Sequence, residues 1–364
     1  MIEIYGYIEG ERMDDNLKIY VQKINSINKP VRLMEVCGTH TMAIYENGIK
    51  SLLDEKIDLI SGPGCPVCVT PNSYIDYIYE LALSEDYIIG TYGDMMRVPG
   101  SNENINLQNA RKKGGKIKIF YSVMEALNFA IENPLKKIVF LAVGFETTTP
   151  STAVAIKEAY DKSIKNFFIL SMHKIMEPAM RCIAQYSIID GFICPGHVGA
   201  IIGEKGFNFL KDMKRPGVIT GFNFEEIILG INKLVEMIKV GEVGIKNQYK
   251  NLVKSEGNII AKLLSNDVFK LKDDVWRGLG SIKKSGMKLN DKYGYFDIES
   301  IYKLKHEPID NSGCMCGEIL KGVLKPKDCP MFGEKCRPAN PIGPCMVSRE
   351  GTCSAYYKYS DMRR

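Results

Sequence analysis

The stretch GPGCPVCVTP, residues 62–71, sets Cys65 and Cys68 three apart in a turn rich in glycine and proline. Two thiols so placed can form a redox dithiol, half of a zinc site, part of a metal-assembly site, or two small buried apolar residues. Upstream, Cys37 is followed by His40, a group able to take its proton or bind the same metal. Cys37, His40, Cys65 and Cys68 would make a tetrahedral zinc set, but they decorate a framework that can fold without metal, which favours redox or transient metal chemistry. Six more cysteines crowd the last 51 residues with the spacing Cys314-x-Cys316-x12-Cys329-x6-Cys336-x8-Cys345-x7-Cys353. Six exceed the four that a zinc ion or a cubane needs. Soft thiolates suit an iron–sulfur cluster, and a leftover pair beside it could form a disulfide that accepts its electrons. Cys182 and Cys194 stand singly and read as buried apolar residues.

Eleven cysteines in 364 residues need a compartment. No apolar run reaches the ~18 residues that span a bilayer. The opening MIEIYGYIEGERMDD carries acids where a signal peptide has a basic and then an apolar region. The expectation is a cytoplasmic protein with reduced thiols, where clustered cysteines mean chemistry or metal rather than a disulfide framework. The net charge of +5 is small and the lysines are scattered, so runs such as 110–118 read as solvated faces and not as a nucleic-acid footprint.

The elements that must position these residues follow a βαβ rhythm. Strands are expected at 56–61, 86–93, 116–122, 136–144, 166–172, 191–196 and 215–221, with helices at 72–84, 122–134, 150–162, 176–186 and 223–241. The fold class is therefore α/β, with parallel sheets covered by helices. A helix stop and strand start at 132–137 suggests one domain junction, and the end of the alternation near 241–250 suggests another. The expected division is 51–134, 135–241, and a third domain of 1–50 with 242–364. That third domain should run as a mostly helical segment to Trp276, then as a tail folded around an inorganic core.

Ligands of open parallel sheets bind at the carboxyl ends of the strands. The turns carrying Cys37, Cys65, Glu146 and His197 all follow predicted strands, which suggests one shared cleft. GFETTTP (144–150) is neither a P-loop nor a dinucleotide fingerprint. Thr148 or Thr149 can cap the next helix, with Pro150 in its first turn. Glu146, just past a buried strand, should be paired or carry a proton.

The motifs CGTH (37–40), GPGCPVCVTP, GFETTTP, PGHVGAIIG (195–203) and the terminal CMCGEILKG…DCPMFGEKCRPANPIGPCMVSREGTCSAYY occur in the order of one family. Together they resemble the HypD family of hydrogenase maturation factors. That resemblance implies a scaffold on which the Fe(CN)2CO moiety of [NiFe]-hydrogenase is assembled before it reaches the large subunit. The work would be done with the small chaperone HypC, with cyanide delivered by HypE from a carbamoyl group made by HypF. It further implies three α/β domains around a central cleft and a [4Fe-4S] cluster in the tail.

On this reading Cys37 binds the iron, Cys65 and Cys68 supply a second ligand and a redox dithiol, and His40 orients or deprotonates. His197 manages protons, and Glu350 supplies a carboxylate. Cys314 and Cys316, one residue apart, tend to point the same way in an extended segment, so one can bind iron while the other stays beside it. The cluster set is taken as Cys316, Cys329, Cys336 and Cys353, with Cys314 and Cys345 as the thiol pair. Preferring Cys353 to Cys345 follows the family's spacing. The alternative is a stand-alone iron–sulfur thiol–disulfide oxidoreductase similar to ferredoxin–thioredoxin reductase.

Overall fold

The computed structural model describes residues 7–8, 11–12, 14–185, 188–303 and 313–360. The amino-terminal stretch read for a leader lies largely outside these, as do residues 304–312 at the start of the tail. Among the described residues no helix is long and apolar enough to cross a membrane.

A short antiparallel ribbon, β1 (Tyr7–Ile8) and β2 (Glu11–Arg12), precedes helix α1 (Asp15–Asn25). Then β3 (Val31–Glu35) leads into α2 (Gly38–Glu46), and β4 (Ile57–Ser61) into α3 (Asn72–Leu83). The chain leaves to build a second unit: β5 (Tyr87–Thr91), α4 (Leu107–Lys112), β6 (Ile117–Ile119), α5 (Val123–Glu132), β7 (Lys137–Gly144), α6 (Thr149–Asp161), β8 (Phe167–His173) and α7 (Met176–Ala184). It returns through β9 (Gly191–Pro195), α8 (Gly196–Ile202), α9 (Phe209–Asp212), β10 (Pro216–Thr220), α10 (Phe224–Val240) and β11 (Gly244–Asn247). Helix α11 (Ile259–Val268), the hairpin β12 (Phe269–Trp276) with β13 (Gly280–Leu289), and the tail helices α12 (Cys316–Leu320) and α13 (Thr352–Ser360) complete it.

Two parallel sheets result, ordered β11-β10-β9-β3-β4 and β6-β5-β7-β8. All seven expected strands form within a few residues of their expected ends. Their assignment to sheets differs from the expected boundaries. The 132–137 junction does not divide one sheet from another, because β5 and β7 on either side of it are hydrogen-bonded neighbours. The expected 135–241 block is split, with β7 and β8 in the four-stranded sheet and β9 and β10 in the other. The strand that leads into CGTH belongs to the five-stranded sheet, where β3 pairs with both β4 and β9, while the motif itself also touches the tail. The segment before Trp276 is only half helical, since β12 follows α11 directly.

Local sequence accounts for these elements. In α10 a capping box joins Asn223 and Glu226 at the start, Gly241 closes the end at φ 70°, and Ile227, Ile231, Leu234 and Val235 fill the buried face. β8 is buried along its whole length although it ends its sheet, because the hairpin covers it. Lys174, just past β8, reaches into that hairpin and pairs with Asp274 at 2.7 Å, both side chains almost wholly buried. Removing one partner leaves an uncompensated buried charge. Asp274→Ala should therefore lower unfolding free energy by about 3–5 kcal/mol in a urea titration, whereas a loss below about 1 kcal/mol would mean that the pair behaves as a surface ion pair.

Candidate functional site

The carboxyl ends of the two sheets face one another across a cavity of about 430 Å³. Its wall takes Cys37 and Thr39 from the turn after β3, Pro66 and Val67 from the CPVC turn, and His197 from the start of α8. The other sheet gives Asp94 from the turn after β5 and Thr147 and Thr148 from the turn after β7. Glu350, from the tail, closes it.

Cys37 is the N-cap of α2, where the backbone N–H groups of His40 and Thr39 favour its thiolate although its side chain makes no capping hydrogen bond. Burial nevertheless pushes its thiol up to about 12, against the help of the His40 N–H, with the Glu350 and Glu35 carboxylates adding to the rise. The site thus favours a neutral thiol until a cation arrives to stabilise the thiolate. The two cysteine turns touch through backbone. Gly38 N–H donates to the Gly64 carbonyl at 3.1 Å, and a Cβ on Gly64 would fall 2.3 Å from the Cys37 nitrogen. On the other side, a Cβ on Gly38 would fall 2.3 Å from that of Glu350, whose carboxylate accepts the Thr39 hydroxyl at 2.9 Å.

Several expected residues take other places. Cys65 and Cys68 are joined by a disulfide in the apolar core and do not line the cleft; only the Pro66–Val67 segment between them does. Cys68 is thus not positioned as a second iron ligand in this state. Its sulfur faces the Pro344 carbonyl of the tail at 4.0 Å. The His40 ring is turned away from Cys37: it is fully buried, its Nε2–H donates to the Gly221 carbonyl at 2.8 Å, and burial lowers its pKa to about 4. A neutral imidazole so anchored cannot deprotonate Cys37, and with the disulfide it removes the zinc set. His197 does reach the cleft. Phe222 lies between the two imidazoles, with ring centroids 4.5 Å from His40 and 4.0 Å from His197. Burial lowers the His197 pKa while Glu350 opposes the shift.

Glu146 lies beside the cleft rather than in it. Its Oε1 accepts the Met176 N–H at 2.9 Å, pinning the turn after β7 to the start of α7, and burial pushes its pKa up to about 7. Thr148 is the N-cap of α6, but its hydroxyl donates back to the Phe145 carbonyl at 3.2 Å instead of capping, and Pro150 stands in the first turn as expected.

Two carboxylates carry no motif that the sequence reading could use. Glu35 accepts the Cys37 N–H at 3.2 Å and the Thr41 hydroxyl at 2.6 Å, and burial lifts it to about 8. Its one signal is an acid ending an otherwise buried strand. Asp94 accepts the Ser348 hydroxyl at 3.1 Å and follows an expected strand.

All six tail cysteines border one small space. The thiols of Cys314, Cys316 and Cys345 form a chain of contacts with Cys316 in the middle. Cys316 thus stands between Cys314 and Cys345, the two expected to pair. Cys314 and Cys329 push the Cys336 thiol up, and Cys314, Cys336, Cys316 and Cys329 do the same to Cys353, in each case after burial. Among the described residues no three His, Cys, Asp or Glu side chains converge as a single ion requires, whereas a cubane takes one thiolate at each of four irons. Cys194 is buried in β9, and Cys182 is partly buried on α7.

The HypD family model, described as "Hydrogenase formation hypA family", matches residues 15–360. This chain belongs to the HypD family. It is similar to the hydrogenase maturation factor HypD of Escherichia coli, with 40% identity over 336 residues, 91% of this chain and 90% of that one. It is 41% identical over 351 residues to a putative hydrogenase expression/formation protein of Methanocaldococcus jannaschii, covering 94% and 97% of the two chains. It is likewise 41% identical over 337 residues to HypD of Cupriavidus necator, covering 90% and 89%. The cleft is thus the meeting place of the motifs that carry this HypD chain's family likeness.

His40 makes its structural role measurable. Its folded pKa of about 4 lies below the ordinary 6.5, so the unfolded chain binds the extra proton between those values. Stability from the neutral ring is whole above pH 6.5 and falls as pH drops toward 4. Glu35 and Glu146, both raised, act in the opposite sense, so the comparison must be with a variant. Between pH 7.5 and 5, His40→Gln should gain about 2 kcal/mol relative to the native chain in urea unfolding; an unchanged difference would mean that the ring protonates freely in the fold.

Proposed function

We propose that this HypD chain holds iron as cargo at Cys37 while its carbonyl and cyanide ligands are attached, and that its other cysteines supply reducing equivalents. The observation that carries the reading is Cys37 itself. It is seated on a helix N-terminus at the wall of an open cavity, beside His197 and Glu350 and across from Asp94. Iron(II) bearing strong-field diatomic ligands favours soft thiolate donors. Metal binding would release the Cys37 proton into a cleft that holds one imidazole and two carboxylates. The open side of the cavity leaves room for a partner to contribute a ligand. A HypC-type chaperone and a HypE-type cyanide donor would dock there, and the Fe(CN)2CO product would pass to the [NiFe]-hydrogenase large subunit.

The buried, soft donor set of the tail fits a [4Fe-4S] cluster, and the contacts favour Cys314, Cys329, Cys336 and Cys353 as its ligands. Such a cluster supplies single electrons when bound. Cys316 and Cys345 then remain as a thiol pair. Cys345 adjoins Pro344, whose carbonyl meets Cys68, so the tail abuts the CPVC disulfide directly. Reducing that disulfide takes two electrons and two protons. The disulfide also gives the oxidoreductase alternative its support, and the two readings differ in whether carbonyl and cyanide ever reside on the chain.

Infrared spectra of the chain purified with a HypC-type partner separate them. The native complex should show CO and CN⁻ stretching bands, and Cys37→Ser should lose them while keeping its tail iron and sulfide. Bands of native intensity in Cys37→Ser would overturn the assignment. Iron and sulfide counts should collapse in Cys314→Ala and persist in Cys316→Ala; the reverse result would restore Cys316 as the ligand.

A further inference from the structure

A second cavity, of about 30 Å³, lies where the β3–β4 edge of the five-stranded sheet meets α2 and the tail. Three cations border it: Arg32 on β3, Lys50 from the turn between α2 and β4, and Lys325 on the tail. Glu35 acts on Lys50, and Asp58 answers all three. Asp58 lies 3.6 Å from Arg32 Nε and 3.0 Å from Lys325 Nζ. Lys50 forms no ion pair among the described residues; its ammonium donates to the Tyr45 hydroxyl at 3.0 Å and the Leu59 carbonyl at 2.7 Å, leaving one of its three donors. Even with Glu35 counted as ionised, three cations face two carboxylates.

Burial pushes Lys50 down to about 8; Glu35 and Asp58 oppose that shift, and the charge on Lys325 adds to it. Remaining donors, like charges and a closed space are the conditions under which an anion binds. The volume holds about one small ion or a pair of waters and excludes a nucleotide or a phosphorylated peptide.

We propose that this cavity binds one small monovalent inorganic anion, which ties Lys50 to Lys325 and so fastens the tail onto α2. The neighbouring contacts serve the same seam. The Tyr45 ring of α2 meets the Tyr356 ring of α13 edge-on at 5.8 Å, and Arg32 donates to the Gly322 carbonyl at 2.5 Å. Helix α13 also carries Cys353, so the ion supports the segment that presents this sulfur. The inference stands apart from the maturation reading, because its test follows binding and not assembly.

The probe is bromide, exchanged stepwise for gluconate at constant ionic strength in chloride-free buffer, with the full chain's melting temperature as readout. Gluconate is too large for the cavity. The native chain should show a saturable rise of about 2 °C at a tenfold excess of bromide over its dissociation constant. Lys50→Met should abolish the bromide response. Lys325→Ala, a more exposed change, should raise the half-saturating concentration about tenfold. Equal melting temperatures in bromide and gluconate, or an unchanged response in Lys50→Met, would overturn the proposal. Should Lys50→Met fail to fold, anomalous diffraction from bromide-soaked native crystals decides: a peak between Lys50 and Lys325 supports the site, and bromide found only elsewhere refutes it.

Discussion

Gly64 sits on the backbone of Cys37 so closely that a Cβ there would come within 2.3–2.6 Å of that residue's N, Cα and C atoms. No side chain fits. This approach, closed by the hydrogen bond from Gly38 to Gly64, makes the turns after β3 and β4 one wall. The cleft depends on that wall. It sets Cys37 at the N-terminus of α2, and it places the CPVC disulfide directly behind the cavity. The tail ties that wall, through Glu350 on Thr39, to the opposite sheet, through Ser348 on Asp94. Residues from two sheets and a cysteine-rich tail thus meet around one thiol.

Burial sets the chemistry of that meeting place. Cys37, Glu35 and Glu146 are all pushed toward their neutral forms, and so is His40. Desolvation that disfavours a lone thiolate enhances its attraction to a cation, because the interaction is then poorly screened. The same logic applies in the tail, where the Cys316 thiol, lowered by Cys314 but raised by Cys345 and burial, stands at about 12.

Much of this is legible in the sequence, and what is not has physical reasons. Strand and helix positions follow from periodicity, because one face of each element is buried. Sheet membership does not, since parallel neighbours are joined through crossovers and nothing in β5 or β9 names its partner strand; an entire unit is inserted between β4 and β9. Strand β12, Phe269–Trp276, falls in the stretch read as mostly helical because an irregularity between Lys272 and Asp274 breaks its alternation. Cys37, His197 and Glu350 are found from residue type and position within the motifs. His40 is misread because spacing cannot tell a ring pointing at the Cys37 sulfur from one pointing at the Gly221 carbonyl. Glu35 and Asp94 lack a motif, and only the fold brings them to Cys37 and the cleft. The pairing of Cys316 with Cys345 likewise depends on how α12 and the loop before Cys345 fold against each other, which a one-residue spacing does not encode.

The account rests on the claim that the shared wall of the two cysteine turns, and not merely the presence of the cysteines, makes the cargo site. Gly64→Ala keeps every thiol and adds one methyl group at the point of closest approach. The direct measurement is the infrared spectrum of this variant purified with its HypC-type partner, alongside its iron and sulfide content. The account predicts loss of the CO and CN⁻ bands with the tail's iron and sulfide unchanged. Bands at native position and intensity in Gly64→Ala would contradict it.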